Sequence, residues 1–227
     1  ERQPRDPHEN FYWLQEDLLA AEAEKHGFSW SIFRPQLIVG STLNAPMNMI
    51  PVIGAYAAIC RAEGLPFSYP GGGDWVFQTS DSRIVAGAIL WASRAEGARN
   101  EVFNVTNGEV CEWDELGPSI AATVGLEPAE PKPMQLSAFL PEHADTWDKI
   151  VADNGLRQNS LSDLVGESPN YSDFIFTFGN ETIPPTIVSD VKIRAAGFNE
   201  VMDTEETFRY WLDLLAEREI LPTVPKS

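Results

Sequence analysis

Residues 10–40 read NFYWLQEDLLAAEAEKHGFSWSIFRPQLIVG, and this stretch decides the fold class. A helix is predicted over residues 8–26, because Gly27 follows it as a typical helix stop. Residues 28–33 alternate β-branched, aromatic and small side chains, which indicates a strand that ends near Arg34 and Pro35. A helix that leads directly into a buried strand predicts an α/β fold.

The remainder of the chain divides at a proline-rich connector, residues 128–133. Before it, helices and short strands are predicted in this order: helix 44–64, strands 66–69 and 75–78, a helix to about 95 capped by residues 80–82, strand 101–105, a tight turn at 107–108, a returning strand 110–113, and a helix to about 124. After it, helices are predicted at 141–154, 168–178, 185–196 and 203–219. The second region is therefore expected to be mostly helical.

Three consecutive glycines at positions 71–73 admit two interpretations. A glycine-rich loop can cradle phosphate with its backbone N–H groups. However, neither a Gly-Lys-Ser/Thr pattern nor a GxGxxG pattern follows, and residues 75–78 resemble another strand. We favour a flexible hairpin over a phosphate site.

The net charge excludes one class of partner. The chain has 34 acidic and 16 basic residues in 227, which gives a formal charge of -18. Such a surface repels phosphate backbones and anionic membrane surfaces, so we expect no nucleic-acid partner. No signal peptide and no apolar run long enough to cross a bilayer is present, so no membrane role is expected.

The cysteines and histidines do not form a metal site in the sequence. Cys60 and Cys111 lie in apolar stretches without a CxxC pattern, and His8, His26 and His143 are far apart. We therefore assign no metal. The cysteines are expected to be reduced core residues of a cytoplasmic protein.

A set of separate motifs occurs in a recognisable order. These motifs are Asn-Phe-Tyr-Trp-x-x-Glu-Asp from position 10, Trp-Ser-x-x-Arg-Pro-x-x-Ile-x-Gly from 30, Met-Asn at 47, Tyr-Ala-Ala-Ile-Cys at 56, Asn-Glu-Val-Phe-Asn at 100, Asn-Gly at 107, Trp at 147, Asn-Gly-Leu at 154 and Lys-x-Arg-x-x-Gly-Phe from 192. Together they resemble the progesterone 5β-reductase and iridoid synthase-like enone reductases, a family of the extended short-chain dehydrogenase/reductase superfamily. Several motifs in register are more specific than any single pattern.

The resemblance implies that Tyr12 is the catalytic phenol. The common superfamily pattern is Tyr-x-x-x-Lys, but Glu16 occupies the lysine position here. This departure matches the enone-reductase branch, and the resemblance implies that the lysine is supplied from a more upstream segment, which we expect to lie outside this chain. Glu16 and Asp17 point about 100° apart on a helix, so they are interpreted as capping and surface residues rather than as a paired acid/base site.

The resemblance also implies a cofactor site. The backbone from Pro35 to Ile38, including Leu37, would border the nicotinamide carboxamide, while Ala45 and Met47 would approach the cofactor. Met47 would also contact the substrate, since its adaptable thioether suits an apolar pocket. The family often has serine at the position of Ala45. We therefore do not expect this side chain to make the hydrogen bond to the cofactor that a serine could make.

The fold implied is a partial Rossmann-type sheet, residues 1–130, with a helical substrate-binding lobe, residues 131–227. The dinucleotide-binding N-terminal part is expected to be missing, and the fragment alone to be inactive. The implied activity is NADPH-dependent reduction of the C=C bond of α,β-unsaturated carbonyls, with Tyr12 stabilising the enolate. NADH as cofactor and a homodimer both stay open. The alternatives are an NAD-dependent sugar-nucleotide epimerase or dehydratase, and a non-catalytic, cofactor-sensing protein.

Overall fold

A computed structural model describes Arg5, His8 and residues 10–73, 75–157 and 160–224. The α-helices in these residues are α1 (Phe11–His26), α2 (Met49–Glu63), α3 (Ser82–Ala92), α4 (Trp113–Thr123), α5 (Leu136–Glu142), α6 (Ala144–Asn154), α7 (Leu161–Val165), α8 (Ser168–Ile175), α9 (Val191–Ala195) and α10 (Thr204–Glu217). The strands are β1 (Ser31–Pro35), β2 (Ile38–Val39), β3 (Phe67–Ser68), β4 (Ser80–Asp81), β5 (Glu101–Val105) and β6 (Pro128–Ala129).

All strand pairs among the described residues are parallel, which confirms an α/β arrangement. β1 pairs with β5 from Ser31 opposite Glu101 to Pro35 opposite Val105. β2 pairs with β4, and β3 with β6. Within the described residues each strand has a single partner, so the outer edge of β1 carries no strand. Parallel strands need long crossovers, and α2, α3 and the short strands β2, β3 and β4 lie between β1 and β5 in the chain.

The main core surrounds α2. Every residue of this helix from Met49 to Cys60 is buried, because α5, α6, α8 and α10 pack around it. A helix that is apolar on all sides is typical of such a central position. The core therefore joins α2 to helices that follow the 128–133 connector, and the division into two domains stays a prediction.

A smaller core covers the β1–β5 pair. Ile84 and Ala88 of α3 pack with Phe103 and Val105 of β5, and Ile193 of α9 belongs to the same cluster. Helices against a parallel pair are the layered arrangement expected of an α/β protein. No helix among the described residues is both long and apolar enough to cross a membrane.

The hairpin predicted around residues 107–108 is wrong. Residues 110–113 do not return alongside β5; Cys111 makes one antiparallel bridge, to Phe77. The buried Asn107 side chain instead accepts a hydrogen bond from the Asp81 backbone N–H at 2.7 Å. Its amide group donates to the hydroxyls of Thr79 and Thr204. The Asn107 side chain therefore belongs to a polar network that joins the end of β5 to the starts of α3 and α10.

The glycines at 71–73 form neither a hairpin nor a phosphate cradle. Their backbone packs against residues 176–181, and the N–H groups of Gly72 and Gly73 donate to the carbonyl oxygens of Phe176 and Asn180. A Cβ on any of the three glycines would overlap backbone oxygens of that segment. Glycine is needed here because two backbones approach each other closely.

Several predicted helices differ in extent. Residues 136–154 form two helices, α5 and α6, with His143 between them. Only α9 forms within the helix predicted over 185–196, because Pro185 follows Pro184 and Thr186 bridges to Phe77. The residues 75–78 predicted as a strand form only isolated bridges at Phe77. The short α7 was not predicted.

Candidate functional site

Tyr12 lies in the first turn of α1. The Asn10 side chain caps this helix by accepting a hydrogen bond from the Tyr12 backbone N–H at 3.0 Å. The Tyr12 side chain is 54% exposed, and its ring lies 4.1 Å from the ring of Phe11. The phenol is therefore not packed into the interior and is accessible to a ligand.

Glu16 does not cap α1, contrary to the expectation from the sequence. Its Oε1 atom lies 2.6 Å from Nη2 of Arg34, the penultimate residue of β1. Arg5 contacts both Glu16 and the exposed Asp17, and its guanidinium lowers the pKa of the Asp17 carboxyl. The guanidinium carbons of Arg5 and Arg34 lie 5.2 and 5.3 Å from the centroid of the Trp13 ring. Glu16 thus connects α1 to the end of β1.

Residues 36 and 37 follow the carboxyl end of β1. The Gln36 N–H donates to the Val105 carbonyl at 3.2 Å, and the Leu37 carbonyl accepts from Ser80 N–H at 3.0 Å. These bonds hold residues 36 and 37 between the ends of β5 and β4. In open parallel sheets, ligands bind outside the carboxyl ends of the strands.

A cavity of about 540 Å³ opens beside these residues. Gln36 and Leu37 form part of its wall, and its aromatic lining is Trp75, Phe77, Tyr171, Phe174 and Phe178. A site of this size, apolar with a few amide groups, is typical of small-molecule pockets.

The charges around the cavity are limited. Asp173 is the charged side chain among its described lining residues. The Asp173 carboxylate accepts hydrogen bonds from the backbone N–H groups of Leu136 and Ser137 and from the Ser137 hydroxyl, at 2.6, 3.2 and 2.5 Å. No lysine or arginine among the described residues lines the cavity. The cavity therefore suits a neutral ligand.

The structure brings together only some of the predicted site residues. Leu37 lines the cavity, Pro35 ends β1 beside it, and the exposed Ile38 begins β2. Ala45 lies on a neighbouring loop, where its carbonyl accepts a hydrogen bond from Ser168 at 2.6 Å. Met47 is 59% exposed. Tyr12, Ala45 and Met47 are not among the described residues that line the cavity.

Sequence reasoning missed the aromatic wall. Tyr171 and Phe174 lie three residues apart on α8, which places them on one face of that helix, whereas Phe178 follows the end of the helix. Phe176, by contrast, is buried in the main core. Thr177 adopts φ 59°, unusual for a β-branched residue, and this backbone turn separates Phe176 from Phe178.

Neither cysteine lines this cavity, although the Cys111 thiol donates to the backbone carbonyl of the lining residue Phe77 at 3.7 Å. Both are free and buried. Burial raises the pKa of the Cys60 thiol to about 11 and that of Cys111 to about 12, so both are protonated near neutral pH. No cluster of potential metal ligands occurs among the described residues.

Comparison with known proteins establishes the family. Residues 3–222 match the PRISE-like Rossmann-fold domain, and the chain belongs to this family. This confirms the resemblance found in the sequence motifs.

The curated relatives are enzymes. The (S)-8-oxocitronellyl enol synthase ISY1 of Nepeta racemosa is 34% identical over 226 residues, which cover 96% of this chain and 56% of the relative. The 3-oxo-Delta(4,5)-steroid 5-beta-reductase of Arabidopsis thaliana is 30% identical, with 98% and 57% coverage. The chain spans about half the length of the curated relatives it matches.

Solved structures agree on the fold. A putative epimerase from Burkholderia cenocepacia J2315 superposes with a TM-score of 0.57 at 19% identity, over 96% of this chain and 57% of the other. RMD from Pseudomonas aeruginosa, complexed with NADPH, gives 0.53 at 15% identity, over 93% and 56%. At these identities the likeness concerns the fold alone.

Proposed function

We propose that this chain is the substrate-side part of a nicotinamide-dependent oxidoreductase that reduces the C=C bond of α,β-unsaturated carbonyls. The observation that carries the proposal is the exposed phenol of Tyr12, at the start of the helix that precedes β1, whose carboxyl end leads into an aromatic cavity. The curated relatives named as an enol synthase and a steroid 5-beta-reductase support it.

The proposed role of Tyr12 follows from where charge develops. A bound, reduced nicotinamide would supply the hydride that adds to the β-carbon of the substrate. The π electrons of the C=C bond move toward the carbonyl, and negative charge appears on its oxygen. A phenol O–H aimed at that oxygen stabilises the enolate, which then takes up a proton. Tyr12 is thus a hydrogen-bond donor to the reacting carbonyl.

The residues after β1 fit the nicotinamide end of such a cofactor. Leu37 is half-buried, while Ile38 and Met47 are exposed, and we propose that these apolar side chains contact the nicotinamide ring. Pro35 has no N–H group, and the side chain of Ala45 cannot hydrogen-bond. We propose NADPH as the cofactor. The structure of RMD with NADPH supports a nicotinamide on this fold.

The cavity favours an enone over a sugar nucleotide. A nucleotide diphosphate requires cations or a helix N-terminus to compensate its charge. The described lining of the cavity contains no cation and one carboxylate, that of Asp173. Glu16 at the position four residues after Tyr12 is a further departure from the epimerase pattern. We therefore place the sugar-nucleotide epimerase second.

The unpaired edge of β1 supports a missing partner segment. Parallel sheets are normally extended and covered on both faces. In the described part of the chain, β1 pairs only with β5, and α1 exposes Phe11, Leu14 and Leu18. We propose that a dinucleotide-binding segment adds parallel strands to β1 and supplies the lysine that Tyr12 lacks. The two free thiols fit a cytoplasmic location.

The test uses the complete protein. NADPH oxidation is followed with 2-cyclohexenone and with UDP-glucose, and products are identified by mass spectrometry. Tyr12→Phe removes one hydroxyl and is expected to lower kcat for the enone on the order of a hundredfold. Tyr210→Phe, the same change on α10, is the control. Unchanged enone turnover in Tyr12→Phe, or preferential conversion of UDP-glucose, contradicts the proposal.

A further inference from the structure

The attachment of α1 to the rest of the protein is sparse. Among its sixteen residues only Ala23 is buried, and this residue lies in the last two turns. The first two turns, which carry Tyr12, expose Phe11, Leu14 and Leu18. Apolar packing within the described residues therefore does little to fix the orientation of the Tyr12 end of the helix.

A polar contact holds this end instead. Glu16 lies one turn after Tyr12, and positions i and i+4 share a helix face. Its carboxylate forms a 2.6 Å ion pair with Arg34, and the two side chains are 15% and 35% exposed. The Arg34 guanidinium also lies over the ring of Trp13. Arg34 thus contacts two residues of the same helical segment, Glu16 by an ion pair and Trp13 by a cation–π contact.

Arg34 can fix the position of α1 relative to the sheet because it belongs to strand β1. Its Cα lies opposite that of Asn104 in the β1–β5 register, one residue before Pro35. Arg5 also contacts Glu16, at 3.5 Å, but it precedes α1 and is exposed. Within the described residues, Arg34 is therefore the ion-pair partner that connects α1 to the strand bordering the proposed cofactor site.

We propose that Arg34 is a positioning residue for the proposed reduction. It acts through Glu16 and Trp13 to hold the first two turns of α1, and with them the Tyr12 phenol, at a fixed place relative to the carboxyl end of β1. This inference rests on the proposed function of Tyr12. The Glu16 carboxylate is thus an anchor for the helix and takes no part in proton transfer.

Arginine suits this role better than lysine. Its planar guanidinium can hydrogen-bond a carboxylate and stack on an aromatic ring at the same time. Lysine would keep the charge but would lose the planar group that covers Trp13. The conservative change Arg34→Lys should therefore restore only part of the function lost in Arg34→Met.

The experiment compares Arg34→Met, Glu16→Gln, their combination and Arg34→Lys in the complete protein. The matched control is Arg194→Met, which breaks the 2.7 Å Arg194–Asp190 ion pair on α9, with side chains 29% and 20% exposed. The first readout is hydrogen–deuterium exchange of residues 11–18, which requires no activity. The second is kcat and KM for the enone.

We expect faster exchange at 11–18 in both single variants and a loss in kcat of about 10- to 100-fold, because small misplacements of catalytic groups have effects of this size. KM should change less than about twofold if only the phenol is displaced. The double variant should be no worse than the poorer single one. The control should leave both readouts unchanged.

Unchanged exchange and kcat in Arg34→Met, or additive losses in the double variant, would overturn the proposal. If Arg34→Met does not fold, Glu16→Gln carries the same test, since it removes the charge without changing the size of the side chain. If wild-type protein reduces no enone, the proposed function is wrong, and the exchange data alone decide whether Arg34 holds α1.

Discussion

Replacing Asn107 by alanine should strongly destabilise the fold. Asn107 is buried and joins β5 to the start of α3 and to α10. Removal of its amide leaves the Asp81 backbone N–H, now bonded at 2.7 Å, without an acceptor in a buried position. The hydroxyls of Thr79 and Thr204 lie 3.2 Å apart and can still bond to each other. The orphaned N–H therefore dominates the cost.

One unsatisfied buried donor costs about 1–3 kcal/mol, and the lost side chain leaves a small void, so we expect a decrease of about 2–4 kcal/mol in the free energy of unfolding. Urea denaturation followed by circular dichroism measures this change, provided that the m-value is unaltered. Asn154→Ala is the matched control, because that amide makes one bond, to the Ile150 carbonyl at the end of α6. A loss below about 1 kcal/mol in Asn107→Ala would refute the assignment of this network as a structural link.

Two further predictions concern close packing and pH. Gly72→Ala should destabilise the protein by several kcal/mol, because the new Cβ would overlap the Asn180 carbonyl oxygen. The control Gly117→Ala lies in an open position on α4 and should be neutral or stabilising. The unfolding temperatures of the two variants test this difference. The raised thiol pKa values of Cys60 and Cys111 contribute stability that is fully present below pH 9.0, the ordinary thiol value, and is lost as pH rises toward about 11 and 12. Urea titrations at increasing pH should show a decline that is smaller when both cysteines are replaced by alanine; an equal decline would contradict the burial argument.

Local signals predicted the parts of the fold that local chemistry controls. Gly27 and Gly64 end α1 and α2 with φ of 72° and 66°, the left-handed conformation that glycine adopts without strain. Strand β5 has the predicted bounds, Glu101–Val105. Asp81 caps α3 by accepting from the Arg83 N–H. At each of these positions the residues that determine the structure are neighbours in sequence.

The errors arose where distant segments compete with local preference. An Asn-Gly pair between apolar runs is a strong hairpin signal, yet Asn107 is bound by Thr79 and by residues of α10. The aromatic wall of the cavity combines Trp75 with α8 and the segment after it. Glu16 looks like a surface acid until β1 brings Arg34 against it. Such contacts depend on tertiary packing, which periodicity does not encode.

The central position of α2 has a consequence for synthesis in the cell. During translation the apolar helix α2 emerges from the ribosome long before α10. Helix α10 begins at residue 204 and covers one side of α2. Until α10 has been synthesised, the apolar side chains of α2 are partly exposed and can bind chaperones or other nascent chains. We expect yields in vivo to respond to chaperone supply, and separate expression of the segment ending at residue 130 to give aggregated material.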